Sequence, residues 1–350
     1  MGMPMYDLQS LDVFFKRFAA AAVLAALLSL SPVWALASPT LERVKAAGDL
    51  RCGVFPDDPG RSAIGKDGQW AGFYVDFCRA VAAAVLGNPK YVQFVEVNSN
   101  TRFSSLVEAK TDVVMYSSTW TMGRESTYQI DFPAIYLFDG QGFMVRKASG
   151  IKTLSDLDGK SICVTENTTT HANLMGLIAY RKLKANVVFS NGDSFFRGSC
   201  DVYTADRMNL ATNRANRSEN PDGYVILPET ISREPIGPMV RNDDPAWSRI
   251  VRAVVHALIL AEEKGITAAN VDEKRSVKQD AETDNLLGQT GKIGETLGLS
   301  ADWAYQAIKA VGNYGEIYGR HFGPGTPIGV ERGLNNLWSH GGVLFAPPFR

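Results

Sequence analysis

A surplus of positive charge is missing from this chain. Lysine and arginine number 36 against 37 acidic residues, a net charge of −1 at neutral pH. No reserve of cations is left to neutralise a phosphate backbone, and nucleic acid is not expected as a partner. Cysteine is scarce: four residues in 350 are too few for a disulfide scaffold, and none forms a C-x-x-C pair. The four histidines, His171, His256, His321 and His340, show no metal-ligand spacing. A nucleophile elbow, a phosphate loop and a zinc motif are also lacking, so no cofactor or metal is expected. Beyond the N-terminus no apolar run approaches the ~20 residues that a membrane-spanning helix requires. The remaining composition is ordinary, 45% hydrophobic and 21% charged, with length for two lobes. Collagen-like, disordered and miniature disulfide-held classes are excluded.

The N-terminus indicates the compartment. Lys16-Arg17 precedes the apolar stretch from Phe18 to Leu30, followed by Pro32 and the small-residue pattern Ala35-Leu36-Ala37. This is the pattern of a secretory signal peptide over residues 1–37, cleaved after Ala37. Its apolar core is too short for a membrane anchor. The mature chain is therefore expected to be soluble and exported, and an oxidising compartment favours disulfides among Cys52, Cys78, Cys163 and Cys200. Three pairings are open, as is a set of buried free thiols; two local bridges, one per lobe, are the simplest arrangement.

Apolar strands alternate with amphipathic helices along the mature chain, which predicts an α/β fold with mostly parallel sheets and helices on both faces. Strands are read at 50–54, 91–97 and 112–116, with helices between them. The pattern restarts with strands at 160–164, 186–189, 200–203 and 224–227, and a long helix follows with Trp247, Ile250, Val251, Val254 and Leu258 on one face. Two extended runs, 140–146 and 235–241, contain glycine or proline that rules out helix, and are read as crossings between lobes. The expected division is a discontinuous first lobe of 38–141 with 240–350, and a second lobe of 142–239.

Turns at the carboxyl ends of strands in open α/β sheets face a ligand crevice. Four segments qualify: 55–62, 117–124, 165–170 and 203–206. Arg124 offers the planar bidentate donor that suits a carboxylate, and the helix opening at Thr169 adds amide donors. Asp206, at a strand end, offers a carboxylate for an ammonium, with the carbonyl of Ser117 beside it. A cation, an anion and many hydroxyls in one cleft suit a zwitterion. Helix capping and surface solvation are the competing roles for such residues.

These strings are recognisable: Thr119-Trp120-Thr121 with Arg124, the run Asp139 to Lys147, Cys200 to Thr204, Asp302-Trp-Ala-Tyr305, Ala307 to Ile317, Arg332-Gly-Leu-Asn335 and Ala346 to Arg350. On them the chain resembles the periplasmic general L-amino-acid-binding proteins of ABC transporters, in the type II periplasmic binding protein superfamily. The resemblance implies a two-lobed fold with a ligand cleft between the lobes, closure about a hinge, and delivery of an L-amino acid to an inner-membrane permease. It implies bridges Cys52 to Cys78 and Cys163 to Cys200. It also implies that Arg124 and the amides of Thr119 and Thr169 hold the ligand carboxylate, while Asp206 and the Ser117 carbonyl hold its ammonium. Thr168, Trp120, Arg61 and Phe55 complete the expected site, and a monomer is expected.

Departures from the family pattern lie in the pocket loops. An uncharged residue is usual where Arg61 stands, a polar one near Phe55, glycine at Asn167 and glutamate at His171. Two roles are open to Arg61: contacting a ligand carboxylate or amide, or pairing with Asp57 or Asp58 on an exposed loop. The second is favoured because the acids are adjacent. An exported dehydratase on the same scaffold and a receptor input domain are the rival functions. The first lacks a poised nucleophile or acid/base group, and the second lacks a transmembrane or signalling segment before Arg350.

Overall fold

Strand β1 (Leu50–Val54) is the centre of the first sheet. In the computed structural model, which describes Gly2 and residues 38–350 apart from Asn191, a short three-stranded ribbon follows it: β2 (Asp57–Asp58), β3 (Ser62–Ile64) and β4 (Trp70–Ala71). The segment 55–62, read from sequence as a loop, is thus partly hairpin. Gly72 then turns the chain into the helix Phe73–Leu86 at φ 136°. A Cβ there would meet the Arg61 carbonyl oxygen at 2.4 Å, so only glycine fits. The helix is almost wholly apolar and buried, and stops at Gly87 in the left-handed conformation. Strands β5 (Val92–Glu96) and β6 (Val113–Val114) flank β1 in parallel, in the order β5-β1-β6.

Next come β7 (Ile130–Asp131), β8 (Leu137–Asp139) and β9 (Gln141–Arg146). The second sheet takes β9 together with β10 (Ser161–Val164), β11 (Asn186–Phe189), β12 (Val202–Asp206) and β13 (Tyr224–Ile226), in the order β11-β10-β12-β9-β13. Its first three strands are parallel, and β9 runs antiparallel to both neighbours. Here the structure corrects the sequence reading. Residues 141–146 are a central strand of this sheet, with Phe143, Met144 and Val145 fully buried. The antiparallel pair that joins the two sheets is β8 with β14 (Glu234–Ile236), Asp139 opposite Glu234. Strand β15 (Val240–Arg241) pairs with β7.

The largest core lies under the first sheet, where the helices Pro245–Glu263 and Trp303–Val311 pack on Phe73–Leu86. Asp244 caps the long helix through the Trp247 amide and also accepts from Ser38 Oγ at 2.8 Å and the Thr40 amide at 2.9 Å. The C-terminal segment clamps the connection between sheets. Asn335 accepts from the Phe138 amide at 2.7 Å and donates back to its carbonyl at 2.9 Å, while Arg332 grips Glu262. Each sheet region carries one disulfide, Cys52–Cys78 and Cys163–Cys200, the pairs that the resemblance implies. The signal peptide reading of 1–37 lies outside the described residues. Among the described residues no helix is long and apolar enough to cross a membrane.

Candidate functional site

A cavity of about 270 Å³ opens between the two sheets, walled by the ends of β1 and β12, the ribbon β2–β3, the turn after β6 and the start of the helix Thr169–Arg181. Each wall has a local cause. Thr121 caps the helix Met122–Tyr128 by accepting from the Arg124 amide at 3.1 Å. This directs the Arg124 guanidinium back onto the Thr119 carbonyl at 2.7 Å and over the Phe103 ring at 5.4 Å. Thr168 caps the opposite helix through the His171 amide at 3.1 Å. Asn167 before it holds φ 61°, in the left-handed region where asparagine is tolerated and glycine usual. His171 is half-buried, edge-on to Phe189.

The electrostatics divide the cavity. Burial, then the neighbouring Arg102 charge, pulls Arg124 down to about 10. Arg102 is itself 2% exposed, stacked on Phe103 and Tyr116, and its Nε has no hydrogen-bond partner among the described residues. Across the cavity Asp206 is 8% exposed, and its Oδ1 likewise has no partner among the described residues. Burial first, then the charges of Asp139 and Glu234, push its carboxyl well above the usual range. Asp139, bonded to the Gly140 and Met208 amides, is pushed up to about 6 by burial. A buried carboxylate with an unpartnered oxygen, in a cavity with two guanidiniums that no carboxylate pairs among the described residues, is costly unless a ligand supplies the opposite charges.

Of the residues expected from sequence, Phe55, Arg61, Ser117, Arg124, Thr168, Thr169 and Asp206 line this cavity. Two do not. Thr119 is buried just behind the wall, its hydroxyl bonded to Glu234. Trp120 is 40% exposed and lines a separate groove behind the joining strands, its amide bonded to the Pro235 carbonyl; alternation along the extended turn places it on the far face. Arg61 also departs from expectation. It is not on an exposed loop but 4% exposed, folded inward with Asp58 at 2.6 Å.

Sequence reasoning missed Arg102, which reads as the start of an ordinary amphipathic helix, and Glu234. The Glu234 carboxylate accepts from Ser232 at 2.5 Å, Asn173 at 3.0 Å, Thr169 at 3.1 Å and Thr119. It thereby ties the turn after β6 to the helix that opens at Thr169. Arg217 makes a second tie, from the helix Arg207–Arg217 to Asp57 at 3.0 Å. Among the described residues no cluster of His, Cys, Asp or Glu suits a metal.

A two-lobed α/β fold with a charged cleft between sheets defines the type II periplasmic binding protein class. Residues 50–324 match the bacterial extracellular solute-binding proteins, family 3, and the chain belongs to that family. It is 44% identical over 342 residues to the general L-amino acid-binding periplasmic protein AapJ of Rhizobium johnstonii, a match covering 96% of this chain and 99% of that protein. It is 43% identical over 344 residues to the glutamate/glutamine/aspartate/asparagine-binding protein BztA of Rhodobacter capsulatus, covering 97% and 99%. Among solved structures, an ABC transporter periplasmic binding protein from Brucella ovis with glutathione bound superposes with a TM-score of 0.87 at 41% identity. That match covers 90% of this chain and 100% of the other.

Proposed function

We propose that this protein is an exported, periplasmic solute receptor that captures an L-α-amino acid between its lobes and presents it to an ABC permease without altering it. The observation that carries the reading is the opposition of charges across the cavity. Asp206 Oδ1 is buried with no partner among the described residues, while Arg124 keeps a half-buried guanidinium in the opposite wall. A ligand α-ammonium answers the first and an α-carboxylate the second, each by a charge-assisted hydrogen bond. Ser117 and Thr169 flank these groups, and the Thr119 and Thr168 positions buttress them.

Lobes of 38–141 with 240–350, and of 142–239, each contribute one half of the zwitterion site, Arg124 from the first and Asp206 from the second. The ligand therefore favours the closed arrangement and shifts the population toward it. The ties through Glu234 and Arg217 belong to that arrangement. A monomer suffices, since one chain supplies both halves.

The test is calorimetric titration of the mature protein with a panel of L-amino acids, alongside a turnover assay on the same panel. Binding without product supports the receptor reading, and product formation overturns it. Glutathione belongs in the panel because of the Brucella ovis structure, and because its γ-glutamyl end presents the same α-ammonium and α-carboxylate.

A further inference from the structure

Besides Arg124 and Asp206 the cavity is lined by Arg61, Asp58, Asp57 and Arg217, and their chemistry differs. We propose that the pair of buried Arg61 and half-buried Asp58 there selects the ligand side chain, admitting neutral polar side chains and rejecting charged ones. The inference rests on the amino-acid reading of the site and deepens it to a substrate class.

Arg61 is a fixed wall of the cavity. Its Nη2 donates to Asp58 at 2.6 Å and its Nη1 to Ser117 Oγ at 2.7 Å, while Tyr74 holds the same Ser117 hydroxyl at 2.8 Å. The backbone beneath is fixed as well: the Tyr74 amide donates to the Arg61 carbonyl at 2.9 Å and the Phe73 amide to that of Gly60 at 3.0 Å. Burial, the largest single influence, draws the Arg61 guanidinium down, but the charge and hydrogen bond of Asp58 together with Tyr74 and Tyr116 outweigh it and raise its proton affinity above the ordinary arginine value. The cation is therefore permanent, and Asp58 answers it.

Arg217, the other cation of this group, is answered by Asp57 at 3.0 Å and Asp193 at 3.1 Å. Each guanidinium here faces a carboxylate, in contrast to Arg102, Arg124 and Asp206. A charged ligand side chain entering here would lose its hydration to paired charges whose fields largely cancel. An amide or hydroxyl would instead meet the neutral network of Tyr203, Asn209 and Asn213, in which the Tyr203 hydroxyl donates to Asn209 Oδ1 at 3.3 Å and Asn213 Nδ2 to the Asn209 carbonyl at 2.8 Å.

Titration of the mature protein with glutamine, asparagine, serine, glutamate, aspartate, lysine and arginine tests this. The wild type is expected to bind the neutral members at least tenfold tighter than the charged ones. Asp58→Asn, which leaves Arg61 unanswered, is expected to improve glutamate relative to glutamine at least tenfold. Arg61→Met, which leaves Asp58 unanswered, is expected to improve lysine and arginine instead. The double variant is expected to return to the neutral ranking. Single variants that keep the wild-type ranking would overturn the proposal. Should a single variant fail to fold in a thermal scan, the wild-type ranking decides, since a tenfold preference for a charged amino acid contradicts a neutral selector. A wild type that binds glutathione or nothing, but no amino acid, removes the functional reading and this inference with it. Amino-acid binding with the wrong ranking removes only the inference.

Discussion

Two aspartates in one cavity make opposite arrangements. Burial raises both carboxyls, but Asp58 is met by a guanidinium three residues along the chain at 2.6 Å, whereas Asp206 is raised further by like charges at Asp139 and Glu234. The first pair is complete within the protein and shapes a wall. The second group is incomplete and implies something brought from outside. The comparison teaches that a carboxylate left without an answering cation in a packed protein is a stronger sign of a ligand than a carboxylate that is well bonded.

The largest effect is expected at Arg124. Arg124→Ala leaves a ligand carboxylate desolvated without its guanidinium, and truncating one partner of a buried charge pair costs about 2–5 kcal/mol. Titration should show affinity falling by a factor of about 30 or more, since 1.4 kcal/mol is about tenfold. Small-angle scattering should show ligand-induced compaction in the wild type and none in the variant at the same ligand concentration.

Reduction of the disulfides should come next, and it acts on stability rather than on the site. Each bridge lies within one sheet region, and such a link typically contributes about 2–4 kcal/mol. A thermal scan should show a lower Tm on reduction, while the ranking of ligands by titration stays as it was.

Glu234→Gln separates the two kinds of carboxylate further. It keeps the shape and removes the charge that receives Thr119, Thr169, Asn173 and Ser232. A tenfold faster ligand release with an unchanged ranking is expected in stopped-flow measurements, because the tie spans the lobes but does not touch the Arg61–Asp58 pair.

The smallest effect is a pH slope. Asp139 in the folded state is pushed up to about 6 by burial, above the ordinary aspartate value of about 3.9. Between these values the folded protein holds a proton that the unfolded chain has released. Its contribution to stability is therefore fully present below the ordinary value and is lost as pH rises through about 6. Thermal scans of Asp139→Asn should show a flatter profile between about pH 4 and 6 than the wild type. A steeper profile would contradict the assignment.

Much of the scaffold was legible because its causes are local. The helix after Gly72 announces itself by Val75, Cys78, Val81, Ala82 and Val85 at helical spacing, all buried, and β1 and β11 fall where their apolar runs place them. The run 140–146 was misread because a central strand and a crossing are both extended; only the neighbours Val202 to Asp206 and Tyr224 to Ile226 distinguish them. In the site, Asp206 ends strand β12 and Arg124 follows the hydroxyl-rich turn 117–121 at the start of a helix, so both were visible. Glu234 was not, because its donors lie up to 115 positions away. Arg61 was misplaced for a related reason. Its polar neighbours suggest an exposed loop, and only the close approach of Gly72 to the Arg61 backbone folds the ribbon inward.

The central claim is that Asp206 awaits an ammonium, and one titration addresses it directly. Wild type and Asp206→Asn are each measured with the best-binding L-amino acid and with the same compound lacking its α-amino group. Asp206→Asn should weaken the amino acid at least tenfold more than the deaminated compound, since the lost interaction belongs to the cation alone. Equal losses for the two compounds would contradict the assignment and the zwitterion site built on it.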